Sequence, residues 1–498
     1  MGKSYIGITL GPIFDTICDA SSPAALWFAS NLFSDLTKRI CAAISMDESA
    51  VIYSPYYTEE EGEWDGVGKY HDRIIFSTEQ YSAEKLKDII RKCKKDTVEL
   101  LPNTVNKEEA VAFFETYLQI HYVVKSENEL GNANCILELS PYLDALELMK
   151  TFPKDDKSNP LGQLFAGAEE NRNKYIKESP LYNRVNEANH QMKNNHKNRI
   201  WTIEEIASHK NAITEPLKRK HYYAVVSADG DNMGKFLQKI TNDQVTKFSE
   251  LCLQYDTTAA GLVGAYGGMT IYAGGDDLLF LAPVMTAEKN VFALCQEIQQ
   301  SFNEIVRSCE DFQKDDIPVP TISFGISIQY AKYPLYEALE YARELLAEAK
   351  SGQKNAMCIG VQKHSGQSIR ITVPNSKYEE ILKELITIEK NKDTNEEDEL
   401  IHSVLYILGM FSESIKVLDK KVIEDNLNYE RYQHVWGNFF DNAGQQKAKT
   451  YIEKICKLYY DKILKANYKD SLETLIYLLR LKHFLVEKEG EREVSGEN

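Results

Sequence analysis

The period of the apolar positions changes along the chain, and the changes divide it into four stretches. Residues 4 to 10 (SYIGITL) read as a strand, 22 to 45 as an amphipathic helix, 50 to 54 and 72 to 77 as short strands, and 82 to 96 as a second helix. From about 107 to 215 the pattern predicts helices joined by polar loops, and the run 186 to 200 (NEANHQMKNNHKNRI) reads as a solvated linker. The stretch 221 to 373 predicts strand (221–228), helix, strand (269–273), strand (278–283), helix, strand (321–329), helix, strand. That order is the ferredoxin-like βαββαβ plan with one helix and one strand appended. Its first helix aligns Val245, Phe248, Cys252, Tyr255, Ala259 and Leu262 on one face. After about 376 the stripes are helical, as in Leu472, Leu475, Ile476 and Leu479, and predict a bundle. The expected fold class is α+β, with units at 1–106, 107–215 (helical), 216–375 and 376–498 (helical).

Charge narrows the partners. The 498 residues carry 58 Lys and Arg against 75 Asp and Glu, a net charge of −17, so the surface as a whole repels a polyanion. Nucleic acid is expected to be held by partner proteins or by one local groove, for which Lys193 to Arg199 is the candidate. No run approaches the ~18 consecutive apolar residues of a membrane helix. The start MGKSYIGITL has neither the cationic region nor the apolar run of a signal peptide, and Ile6 stands where myristoylation requires Ser or Thr. The nine cysteines are scattered and never spaced C-x-x-C, which predicts a reducing cytoplasm, core positions and no zinc ribbon.

The chemistry gathers in the βαββαβ stretch. Its first strand runs into Asp229-Gly230-Asp231-Asn232-Met233-Gly234, placing a carboxylate where strand gives way to helix, with glycines leaving the backbone open to a phosphate. Gly274-Gly275-Asp276-Asp277 separates the two central strands. Alone it is a good hairpin turn. In this topology, however, the first strand lies beside that hairpin, so Asp229, Asp276 and Asp277 are expected to converge at one edge of the sheet. Clustered carboxylates repel unless a cation neutralises them, and a Mg²⁺ (or Mn²⁺) pair suits nucleotidyl transfer. Lys350, at a predicted helix end, is placed to neutralise a triphosphate.

In order and spacing, Ala228-Asp229-Gly230-Asp231, Gly274-Gly275-Asp276-Asp277, Ser323-Phe324-Gly325-Ile326-Ser327 and Ala349-Lys350 with Asn355 resemble the GGDEF and polymerase-palm superfamily. More narrowly, SADGDNMGKFL with YAGGDD resembles the polymerase-like large subunit of type III CRISPR effector complexes, especially the Cmr branch. The N-terminal IGITLGPIFDTI and LWFASNLFSDL are similar to that family's first, degenerate palm, and GVGKYHDRIIF (66–76) to its short strand with a substrate-side loop. The resemblance implies two face-to-face palms with nucleotides between them and helical regions that dock other subunits. It also implies a palm activated when guide RNA in the complex pairs with target RNA, turning ATP into a signalling nucleotide. Carried over, Asp229, the Gly230 carbonyl, Asp276 and Asp277 are expected metal ligands, with Asp276 and Asp277 catalytic. Asp231, Asn232, Gly274, Gly275, Lys350 and, from the first palm, Ser30 are expected to meet nucleotide. The product is expected to be a cyclic oligoadenylate, or AMP joined to another small acceptor such as S-adenosylmethionine.

The departures shape the rest of the expectation. Many members begin with an HD nuclease, whereas this chain begins at the first palm. Its His71-Asp72 pair lacks neighbouring histidines and is expected to be a surface loop. The family's zinc finger is not expected, and the first palm has no aspartate pair at a hairpin, so one active centre is predicted. A diguanylate cyclase shares the palm but would carry an acidic residue at the fourth hairpin position followed by Phe, whereas Leu278 follows Asp277 here. A catalytically silent scaffold is the other alternative.

Overall fold

The computed structural model describes residues 2–59, 66–131, 133–149, 159–165, 169–184, 201–208, 221–313, 317–352, 354–363, 366–384, 394–440, 446–466 and 470–487. The candidate RNA groove Lys193 to Arg199 lies outside them.

Four strands form the first sheet: β1 (Ser4–Gly11), β2 (Val51–Ser54), β3 (Arg73–Thr78) and β4 (Gln119–Ser126), in the order β2-β3-β1-β4. The neighbouring strands are antiparallel. With helices Pro23–Ser45 and Ala83–Thr97 between strands, this is a complete βαββαβ unit. The long helix starts where the Ser22 hydroxyl accepts from the Ala25 amide, and it buries Leu26, Trp27, Phe28, Leu32, Phe33 and Leu36. The stretch expected to be helical from 107 instead contains β4, which pairs along the whole of β1. Ile120, Tyr122, Val123 and Val124 explain it, because branched and aromatic side chains favour a pleated surface and β1 offers an open edge. The first sheet therefore continues past residue 106.

The second sheet has six strands: β5 (Tyr222–Asp231), β6 (Met269–Gly274), β7 (Asp277–Pro283), β8 (Thr321–Tyr330), β9 (Ala356–Gln362) and β10 (Ser368–Pro374). Their order is β10-β9-β8-β5-β7-β6, so β5 is central, between β7 and β8. The strand β10, not anticipated, returns antiparallel along β9. Both faces of β5 are buried, and its alternation sorts them. Tyr222, Ala224, Val226 and Ala228 belong to the core under helices Asn242–Tyr266 and Val291–Arg307, while Tyr223 and Val225 join a core shared with the first unit and helix Leu335–Ser351. The predicted stripe Val245, Phe248, Cys252, Tyr255 and Ala259 is buried as expected, with Leu262 half-buried.

The two units lock together reciprocally: helix Pro23–Ser45 packs against β6, and helix Asn242–Tyr266 against β2. A short segment of the first unit also extends the second sheet. Gly68 forms a parallel bridge to Tyr272, with the Ala273 amide donating to the Gly68 carbonyl at 3.1 Å.

The C-terminal region is helical, and its core contains a charged group. Asp419 is buried and accepts from the Tyr432 hydroxyl at 2.8 Å and the Tyr459 hydroxyl at 2.6 Å. Burial raises its pKa to about 6, against the two hydrogen bonds, which lower it. The native state thus takes up this proton at higher pH than the unfolded chain, so stability falls as pH rises from about 4 to about 6 and then levels. Asp419→Asn should abolish that contribution, about 3 kcal/mol across the window, read as a smaller difference in urea unfolding free energy between pH 4.5 and 7. The nine cysteines are all free thiols, eight of them buried. No single helix among the described residues is long and apolar enough to cross a membrane.

Candidate active site

The end of β5 and the β6–β7 turn place the three predicted carboxylates side by side. β5 runs antiparallel to β7, with Ala228 opposite Leu278, so Asp229 emerges next to the turn. Gly275 turns the chain at φ +75°, a backbone region that costs a side-chain-bearing residue energy. Gly230 serves a different end. A Cβ there would lie 2.5 Å from Asp276 Oδ2 and 2.8 Å from Asp276 Cβ, so the missing side chain is what lets Asp276 lie over the end of β5. A Cβ on Gly274 would overlap the Tyr272 ring, giving that glycine a packing reason of its own.

Repulsion within the cluster is visible in its acidities. Burial and then the Asp229 charge raise Asp276 to about 6. Asp277 keeps a water-accessible edge, yet the protein mass around it, followed by Asp276, Asp229 and Asp72, pushes it well above the usual carboxylate range. Lys350, in the last turn of helix Leu335–Ser351, supplies the positive charge. Its Nζ stands 2.5 Å from Asp229 Oδ2 and donates to the Gly230 carbonyl at 2.9 Å.

Among the described residues no three His, Cys, Asp or Glu side chains already stand close enough to hold a metal ion. The donor chemistry nevertheless fits Mg²⁺, since Asp229, Asp276, Asp277 and the Gly230 carbonyl are hard oxygens, and an ammonium already rests on two of them.

Asp276 and Asp277 open onto a cavity of about 420 Å³ between the two units. Gly274 to Asp277 form one side, and Val245, Phe248, Ser249, Cys252 and Asp256 of helix Asn242–Tyr266 form an apolar wall with two polar groups. The opposite side comes from the first unit: Ser54, Lys69, His71, Asp72, Arg73 and Glu147.

Three expectations are corrected. His71-Asp72 does lie in a loop, just before β3, but that loop lines this cavity, and a Cβ on Gly275 would sit 3.7 Å from the His71 ring. The His71 ring contacts the Ser54 hydroxyl at 3.0 Å, and burial and then Arg73 lower its pKa to about 4, so it is neutral at pH 7. Asp231, expected to meet nucleotide, does not line the cavity. It is fully buried, accepting from Thr321, Ser323 and the Asn355 amide, and ties β5, β8 and the loop before β9 together. Ser30 is buried beneath Gly68 and does not line the cavity, and among the described residues its hydroxyl has no hydrogen-bond partner. Asn232 starts the helix after β5 with φ 60° and accepts from Lys354 at 3.3 Å.

Sequence reasoning also missed Asp256, whose carboxylate accepts from the Gly275 amide at 3.2 Å and steadies the turn. A signal existed: an acidic residue at 256 interrupts the apolar face Cys252–Tyr255–Ala259.

Comparison with known proteins agrees with this geometry. Residues 222–358 match the family model of Cas10/Cmr2, second palm domain. The CRISPR system Cmr subunit Cmr2 of Pyrococcus furiosus is 25% identical over 269 residues, which is 47% of this chain and 28% of that relative. The matched region thus spans less than a third of the curated relative's length. Among solved structures, a Csm1–Csm4 cassette in complex with pppApApA aligns with a TM-score of 0.56 at 13% identity, covering 98% of this chain and 70% of that one. The Csm1–Csm4 subcomplex of the type III-A CRISPR-Csm interference complex aligns at 0.54 and 12% identity, with the same coverage of both chains. At such identity the likeness is one of fold. With the acidic turn where the family model places its palm, the chain carries a Cas10/Cmr2 second palm domain over residues 222–358 and resembles the polymerase-like large subunit of type III CRISPR effector complexes.

Proposed function

We propose that this chain is the nucleotidyltransferase subunit of a type III CRISPR RNA-guided complex, acting on ATP with release of pyrophosphate. The observation that carries the reading is that Asp276 and Asp277, beside Asp229 and its Lys350 partner, line a cavity between the two units. A hydroxyl of the acceptor attacks the α-phosphorus, a new P–O bond forms, the α–β bridge breaks and pyrophosphate departs. Asp229, the Gly230 carbonyl, Asp276 and Asp277 would hold a divalent metal pair, which activates the attacking hydroxyl and stabilises the leaving oxygens. Asp277, at the water-accessible edge, is positioned toward the incoming hydroxyl, and Asp256 keeps the turn in register through the Gly275 amide. Lys350 is within reach of the phosphates. Other subunits would carry guide and target RNA, in keeping with a charge of −17, and the setting is the cytoplasm.

The product is an adenylate second messenger. The first palm's wall favours an acceptor without a triphosphate of its own, such as S-adenosylmethionine, beside the cyclic oligoadenylate reading. Arg73 is committed to Glu147 (2.8 and 2.7 Å) and Asp144 (2.6 Å), Asp72 lies next to it, and His71 is neutral, so Arg73 and Lys69 face three carboxylates. A second triphosphate finds no surplus positive charge there, whereas a sulfonium or ammonium finds a complement.

The test is incubation of the assembled complex with target RNA, Mg²⁺ and labelled ATP or GTP, with and without S-adenosylmethionine. ATP consumption supports the transferase, GTP consumption the diguanylate cyclase alternative, and neither the silent scaffold. If the acceptor is cationic, Asp72→Asn should raise its KM about tenfold, a loss of about 1.4 kcal/mol, and leave the KM for ATP nearly unchanged. An unchanged acceptor KM would remove Asp72 from the acceptor site.

A further inference from the structure

We infer that Lys350 is an exchangeable internal cation, which occupies the Asp229 side of the acidic centre until a divalent metal enters and then transfers its charge to the phosphates. The inference rests on the acidic centre being a metal site, as proposed above, and adds to that reading how the site is loaded.

Lys350 Nζ contacts Asp229 Oδ2 at 2.5 Å and the Gly230 carbonyl at 2.9 Å. These are two of the four oxygens with which the site would hold metal, so the ammonium and a metal ion cannot both rest on them at full contact. The arrangement is set by the fold. Helix Leu335–Ser351 packs on β8, β9 and β5, and Lys350 falls in its last turn, where its stem reaches back to the end of β5. Both side chains keep solvent access, 27% for Lys350 and 34% for Asp229, so the lysine has an open path away from the site. Helix Leu335–Ser351 ends one residue later, at Ser351, followed by Gly352. The four-carbon stem carries a compact charge on rotatable bonds, which suits it to change partner without backbone motion.

Without such a cation Asp229, Asp276 and Asp277 would face one another uncompensated. Lysine therefore does for the empty centre part of what a metal does for the filled one, at half the charge. It is a weaker competitor than Mg²⁺ accompanied by triphosphate, because nucleotide brings the lysine a new anionic partner at the moment the metal displaces it. Metal alone must evict the lysine without that compensation. Metal binding and nucleotide binding are then coupled through one side chain.

The experiment titrates Mn²⁺ into the full chain without nucleotide and reads free Mn²⁺ by electron paramagnetic resonance, for the native protein, Lys350→Met and Lys350→Gln. Removing the competitor should tighten Mn²⁺ binding about tenfold, within the range usual for coupled sites. In an Asp229→Asn background the same lysine substitutions should change Mn²⁺ affinity less than twofold, since the shared partner is gone. A measurement on unaltered protein guards against misfolded variants. Modification of Lys350 by an amine-reactive reagent, quantified by mass spectrometry, should rise severalfold on adding Mg²⁺ and fall again when a non-hydrolysable ATP analogue is added with it. Equal Mn²⁺ affinity in the native protein and both variants, or a Lys350 reactivity indifferent to Mg²⁺, overturns the exchange. A complex that converts no ATP while the Mn²⁺ difference persists supports the exchange and counts instead against the transferase reading.

Discussion

Replacing Asp276 and Asp277 together by Asn should abolish ATP conversion by the assembled complex, with a rate loss of several orders of magnitude. Asn preserves size and turn preference and removes the two charges on which metal affinity depends. Losing two-metal stabilisation costs several kcal/mol in the transition state, at about 1.4 kcal/mol per tenfold in rate. Folding should be unchanged or slightly improved, because both carboxylates have pKa values pushed up by burial and mutual repulsion that the substitution relieves. Asp229→Asn should give the same loss and also remove the charged one of Lys350's two partners, leaving the Gly230 carbonyl. Asp72 is no neutral control for this experiment, since it lines the same cavity. Rates are measured as labelled pyrophosphate release, and subunit assembly is checked by size-exclusion chromatography. A double variant that converts ATP normally within an intact complex would place the chemistry elsewhere.

The second large effect concerns stability. A Cβ on Gly325 would overlap the Ala342 carbonyl and the Leu346 amide and lie 2.9 Å from Leu346 Cα. These are backbone atoms of helix Leu335–Ser351, so no rotamer change relieves the clash, and the helix must move off β8. Gly325→Ala should cost about 3 kcal/mol, the upper end of overpacking effects, read from the urea unfolding midpoint. The same shift carries Lys350 away from Asp229, so activity should fall further than stability alone explains. A midpoint within experimental error of the native protein would show that the helix tolerates displacement.

Much of this arrangement is legible in the sequence because it depends on short-range pattern. The order of strands and helices from 221 to 362 follows from apolar period. The approach of Asp229 to Asp276 and Asp277 follows from topology, since in βαββαβ the first strand must neighbour the central hairpin. What escaped depends on partners distant in sequence. β4 is a strand because β1 offers its edge, a fact that local composition reports only weakly. Asp231 stands two residues from Asp229 in one acidic motif, yet Ser323 and Asn355, about 90 and 120 residues away, turn it into a buried strut. His71-Asp72 lacks every local mark of a site and comes to line the cavity only because the two units close over it. Ser30 shows the reverse: a small polar residue at the expected place on the helix, covered by Gly68.

The bridge from Gly68 to Tyr272 bears on how such a pair of units can change over time. The first unit carries no Asp-Asp pair between β2 and β3, and a second copy without one would ordinarily be free to shrink or disappear. Here it finishes the border of its neighbour's sheet next to the Gly274–Asp277 turn, so deleting it would bare the β6 backbone as a template for another chain. The first unit is thereby held by an obligation to the second. Segment 66–72 should drift only as far as the sheet it borders allows.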